Sequence, residues 1–177
     1  MLAVLLSPVL LVTVIVALPA IVVLELRRAL ERSRVRRAFE AQWGRHGMRV
    51  VVAYSDDTRW RARIEREWLP RIGRQAVVLD WKSRQTFGAD APVEAHVFQH
   101  WAGRRDFDPV AIVIPRSGRV RVLGFRDAFI AAFAGDERAL LMAEARFFTA
   151  VDALRERGGV AAPLDALRTG AAARRDA

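Results

Sequence analysis

The stretch "FDPVAIVIPRSGRVRVLGF" (107–125) places two strand-like runs on either side of a tight turn. "VAIVI" (110–114) is a continuous apolar run, the pattern of a strand covered on both faces, and "RVRVLGF" (119–125) alternates as an edge strand does. "PRSG" (115–118) joins them, so the two form an antiparallel hairpin. Upstream, "RVVVAYS" (49–55) and "QAVVLDW" (75–81) read as two further buried strands. The helix between them carries Trp60, Ile64, Trp68 and Ile72 as one apolar stripe. Asp56 or Asp57 caps that helix, and Pro70 bends or shortens it near its end. A strand–helix–strand crossover makes the first two strands parallel, whereas the hairpin makes the last two antiparallel. "VEAHVFQHWA" (93–102) adds a helix with Val93, Val97 and Trp101 on one side. From Asp127 the chain is again helical, broken at Gly135–Asp136, with Leu140, Leu141, Phe147, Phe148, Val151 and Leu154 facing inward. The order β-α-β-α-β-β-α predicts an α/β domain over residues 49–157, a mixed four-stranded sheet with helices on both faces.

The ends of the chain are different. Met1 to Leu24 carries no charge, and at about 1.5 Å per helical residue it is long enough to span a hydrocarbon core about 30 Å thick. A signal peptide would carry a Lys or Arg ahead of a short apolar core, and this segment has neither. Residues 1–26 are therefore expected to be one uncleaved transmembrane helix. "ELRRALERSRVRR" (25–37) follows it with six arginines and two glutamates. Positive flanks stay cytoplasmic, which predicts a single-pass protein of the inner (cytoplasmic) membrane with its N-terminus outside and its domain in the cytoplasm. Arg27, Arg28, Arg32, Arg34, Arg36 and Arg37 are candidates to rest against anionic headgroups, making the lipid bilayer the first expected partner. Residues 27–48 form a basic juxtamembrane helix and linker with Leu26, Leu30, Val35 and Phe39 on its apolar side, ended by Gly44 and Gly47. The Ala-, Gly- and Arg-rich 158–177 reads as a mobile tail.

The net charge of +9 comes from 28 arginines and the single Lys82, in a chain rich in Ala. Outside 27–37 the arginines alternate with acids, as in "RWRARIERE", instead of gathering on one face with aromatics between them. That patterning speaks against a nucleic-acid groove. There is no cysteine, which fits a reducing compartment.

Over nearly the whole of 49–157, the element order resembles that of the thioredoxin fold. "FDPVAIVIPRSGRVRVLGF" is similar to the thioredoxin segment in which a cis-proline precedes the third strand and a short Gly-containing turn leads to the fourth. The resemblance implies a cis peptide at Pro109 and gives Gly118 the turn position. It also implies Cys-x-x-Cys at the N-terminus of the first helix, where the dipole lowers a thiol pKa. Those positions fall on Arg59 and Ala62 when the strands are aligned, or on Ala62 and Glu65 when the prolines are, and no thiol stands at any of them. The expected function is thus a membrane-tethered, redox-inactive thioredoxin-like module that binds or assembles a protein partner, with no cofactor and no catalytic residue.

The alternative is a small membrane-anchored enzyme, hydrolase-like or nucleotide-using, with Asp56, Asp57, Asp80 and His96 at the strand ends, where ligands of α/β sheets gather. "YSDDTRW" resembles the opening of TIR domains, which use five parallel strands. For Asp57 the duty of helix N-cap competes with that reading. His96 and His100, four apart on one helix, have the spacing of two metal ligands, but "EAHVFQH" lacks the order HExxH and a third ligand on the same face, so no metal site is expected.

Overall fold

The structure, a computed structural model, describes residues 8–159 apart from 83, 85–87, 89 and 104–107, with side chains described from Ala17 to Glu156. Strand β1 (Val50–Tyr54) is the centre of the sheet, and Val50, Val51 and Val52 are wholly buried in consequence. It pairs parallel with β2 (Ala76–Asp80), Val50 opposite Ala76, and antiparallel with β3 (Val110–Val113), Val50 opposite Val113. β4 (Arg121–Gly124) closes the far edge antiparallel to β3, giving the order β2-β1-β3-β4. The α/β class and the mixed four-stranded sheet follow the sequence expectation. Two antiparallel pairings out of three differ from the five parallel strands that a TIR resemblance implies.

Because side chains alternate along a strand, the sheet splits its apolar residues between two cores. Val50, Val52, Ala111 and Val113 face the first, against Trp60, Ile64, Trp68 and Ile72 and against the two C-terminal helices, α5 (Arg126–Phe133) and α6 (Glu137–Gly159). Val51, Ala53, Val110 and Ile112 face the second, against α4 (Val93–Trp101) and Phe39 of α1 (Pro8–Gln42). The helix after β1 runs as α2 (Thr58–Arg63), a π turn (Ile64–Trp68) and α3 (Leu69–Ile72). Residues spaced by four drift about 40° per step around an α-helix. The wider π turn, marked by the Leu69 N–H bonding to the Ile64 carbonyl, winds part of that drift back and keeps four large side chains on one face. Pro70 follows the π turn directly, as the second residue of α3, so the continuous helix gives up one N–H donor there.

The Asp108–Pro109 peptide is cis, as expected for Pro109. Gly118, in the turn between β3 and β4, has φ +93°, a conformation that favours glycine. Three expectations need correction. Val78 is 45% exposed, because β2 is an edge strand covered on one face, not a strand buried on both. Leu141 is 54% exposed, since the inward stripe of α6 runs through Leu140, Glu144, Phe147 and Val151. Leu26 and Leu30 do not share the apolar side of Phe39: they are exposed, and contact with the domain begins at Val35.

Among the described residues, no helix is long and apolar enough to cross a membrane. The expected anchor falls largely elsewhere: residues 1–7, and the side chains of 8–16, lie outside the described residues, as do 160–177 of the expected tail. From Leu18 to Leu24, α1 is an apolar helical segment that belongs to neither core. Leu18, Ile21, Val22, Val23 and Leu24, which point around the whole circumference, are all about half exposed or more.

Candidate functional site

The carboxyl end of β1 is where this topology would place chemistry, and the residues there are tied to one another. Asp57 is the N-cap of α2: its Oδ1 accepts the Arg59 backbone N–H at 2.9 Å. The Arg59 guanidinium binds both oxygens of the same carboxylate, at 3.0 and 2.9 Å, and holds its pKa below the usual range. Asp56 is exposed and pairs with Arg61, which also donates to Glu65 at 2.9 Å. Asp80, also exposed, accepts the Lys82 backbone N–H at 3.1 Å. The Tyr54 hydroxyl donates to Glu65 at 3.4 Å, and burial first, then the Glu65 charge, raises its pKa.

One carboxylate that the sequence reading passed over belongs to this end. Asp108, buried just before the cis-proline, accepts the Ser55 N–H at 3.0 Å and so pins the loop after β1 to the start of β3. Its adjacency to Pro109 was the signal available in the sequence. His96 and His100 are half-buried on α4, and among the described residues no three of His, Cys, Asp and Glu come together as a metal could require. The positions aligned with a thiol pair hold Arg59, stacked 4.8 Å above the Trp60 ring, the exposed Ala62, and Glu65. At the carboxyl ends of the strands, then, the geometry supports loop closure and helix capping.

The opposite end of the sheet holds the described cavities. Three of them, of about 400 to 440 Å³, lie around the β3–β4 turn, and none is lined by Asp56, Asp57, Asp80 or His96. Arg36, expected at the membrane surface, reaches into this turn and donates to the carbonyls of Pro115, Arg116 and Gly118 at 2.5, 3.0 and 3.1 Å. Beside it, buried Arg49 pairs with Glu40 and donates to the Gly44 carbonyl at 3.2 Å. That contact, led by the hydrogen bonds from Arg49, lowers the Glu40 pKa. Gly44 is more than a helix breaker: a Cβ there would come within 2.5 Å of the Glu40 carboxylate. At the other end of α1's contact with the domain, the Trp43 indole N–H donates to Glu94 of α4 at 3.1 Å.

A second buried carboxylate lies inside the first core. Glu144 accepts the Trp68 indole N–H at 2.8 Å and both nitrogens of an Arg63 fork at 2.7 and 2.9 Å. It cross-links the helix after β1 to α6, and an acid within an apolar helical stripe was the sequence trace of it.

No family model matches the chain, and no curated protein or solved structure compared with it does either.

Proposed function

We propose that this protein is a membrane-tethered module that binds or assembles a partner protein and performs no thiol chemistry. The observation that carries the reading is α1. Between Leu18 and Leu24 its apolar residues cover the whole circumference and belong to neither core, the pattern of a helical segment made for an apolar surrounding. The same helix then enters the second core through Phe39, so tether and domain are joined rigidly. The β2-β1-β3-β4 order and the proline before β3 support a thioredoxin-like arrangement, and a chain without cysteine cannot run its dithiol reaction. The α5–α6 hairpin offers a surface for a partner, with Ile130, Phe133, Leu141 and Met142 about half exposed.

Two measurements on the full chain test the two halves of the reading. Carbonate-washed membranes should retain the protein, and release into the supernatant would end the tether reading. A partner cross-linked in native membranes should be lost from Phe133→Asp and Leu141→Asp variants that still fold. Persistence of the same cross-link in both variants would remove the hairpin as its surface.

A further inference from the structure

The cavity of about 400 Å³ between α1, the end of α4 and the β3–β4 turn has an unusual lining: Arg32, Ser33 and Arg36 from α1, Trp101 from α4, and Gly118 and Arg119 from the turn. No carboxylate lines it. Among the described residues Arg32 and Arg119 form no ion pair, and Arg36 spends its N–H groups on backbone carbonyls, so its charge too stays without an ion-pair partner. The two uncommitted guanidinium forks of Arg32 and Arg119, with the charge of Arg36 beside them, make the concavity a receptor for a phosphate oxyanion, whose oxygens match the planar fork.

We propose that this cavity binds the phosphate of an anionic phospholipid headgroup. The proposal rests on the tether reading, which fixes the depth of the cavity. Arg32 lies six residues beyond Leu26, about 9 Å along a helix. The headgroup layer extends about 5–8 Å beyond the hydrocarbon on each side. Side chains on a helix lean toward its N-terminus, which here is the membrane side, so Arg32 reaches back into that layer. Trp101, half-buried at the rim, is the residue type that settles at the membrane–water interface. The turn therefore adds Arg119 to a headgroup contact that the sequence alone assigns to α1.

The test follows lipid retention by the full chain in neutral detergent micelles, using native mass spectrometry. Micelles are doped with phosphatidylglycerol or phosphatidylcholine, or inorganic phosphate is added. One phosphatidylglycerol should be retained in preference to phosphatidylcholine. Arg32→Ala and Arg119→Ala, neither of which holds the fold together, should each weaken it about fivefold, the equivalent of about 1 kcal/mol per charge. Arg66→Ala, on an exposed helical face elsewhere, should leave retention unchanged. Equal weakening by all three variants, or by none, would overturn the site. Displacement of the lipid by millimolar inorganic phosphate, with the same dependence on Arg32 and Arg119, would overturn the lipid as its occupant in favour of a free phosphate. Carbonate extraction of the same proteins separates the two readings: release of the wild type ends the tether. Wild type retained in the pellet, without arginine dependence of lipid binding, ends only the cavity.

Discussion

Glu144 shows how one polar side chain can organise an apolar core. Its carboxylate is buried, yet both of its oxygens are used, by Trp68 and by the Arg63 fork. Removing it leaves the indole N–H of a wholly buried tryptophan without a partner, and an unmet buried donor costs about 1–3 kcal/mol. The Arg63 side chain is about a third exposed, so water takes over part of what that pair loses. Glu144→Ala is therefore expected to cost about 2–3 kcal/mol in urea denaturation. Glu144→Gln, which keeps an acceptor for Trp68, should cost about half as much. Equal losses for the two would place the effect in the charge instead of in the indole contact.

At the scale of elements, α1 is joined to the sheet by the Glu40–Arg49 pair, and that pair is sensitive to pH. The Glu40 carboxyl is held below its ordinary value by Arg49, so its contribution is complete above the ordinary glutamate pKa of about 4.3 and is lost as the pH falls from there through the lowered, folded-state value. Asp57, lowered by Arg59, acts in the same direction at the exposed start of α2. Glu40→Gln should lower the urea midpoint near neutrality and lose that disadvantage on acidification, the two curves converging. A gap independent of pH would show that the carboxylate is not the group responsible. Much at this scale was legible in the sequence, because period and punctuation are local signals. The valine runs, the Trp60–Ile72 stripe, the "PRSG" turn and the Asp57 cap were all readable. What was not readable depends on residues far apart in the chain. Nothing local pairs Arg36 with carbonyls 79 to 82 residues away, or Arg63 with a carboxylate 81 residues away. The exposure of Val78 and Leu141 likewise depends on which edges and faces the tertiary structure leaves uncovered.

For the whole molecule, the question is where the folded unit begins. Strand pattern alone starts it at Arg49, but Phe39 is wholly buried in the second core with Val51, Phe98 and Ile112, and Val35 and Trp43 pack against the same cluster. The last turns of α1 therefore belong to the domain, and the part that stands free ends near Arg34. A chain truncated to begin at Arg27 keeps Arg36, Phe39, Glu40 and Trp43, and should retain most of the stability of the whole. A chain beginning at Met48 loses all four. Truncating a buried Phe alone costs about 3–5 kcal/mol. The lost helix also uncovers part of the second core and leaves Arg49 without its carboxylate. Against a typical domain stability of about 5–15 kcal/mol, such a chain is expected to be marginal or unfolded. Thermal unfolding of the two truncated chains, followed by far-ultraviolet circular dichroism, decides it. A cooperative transition for the Arg27 chain and a weak or absent one for the Met48 chain is the expected result. If both melt at the same temperature, α1 contributes nothing to the core and serves only as a connection, and its rigid joining to the domain falls with it.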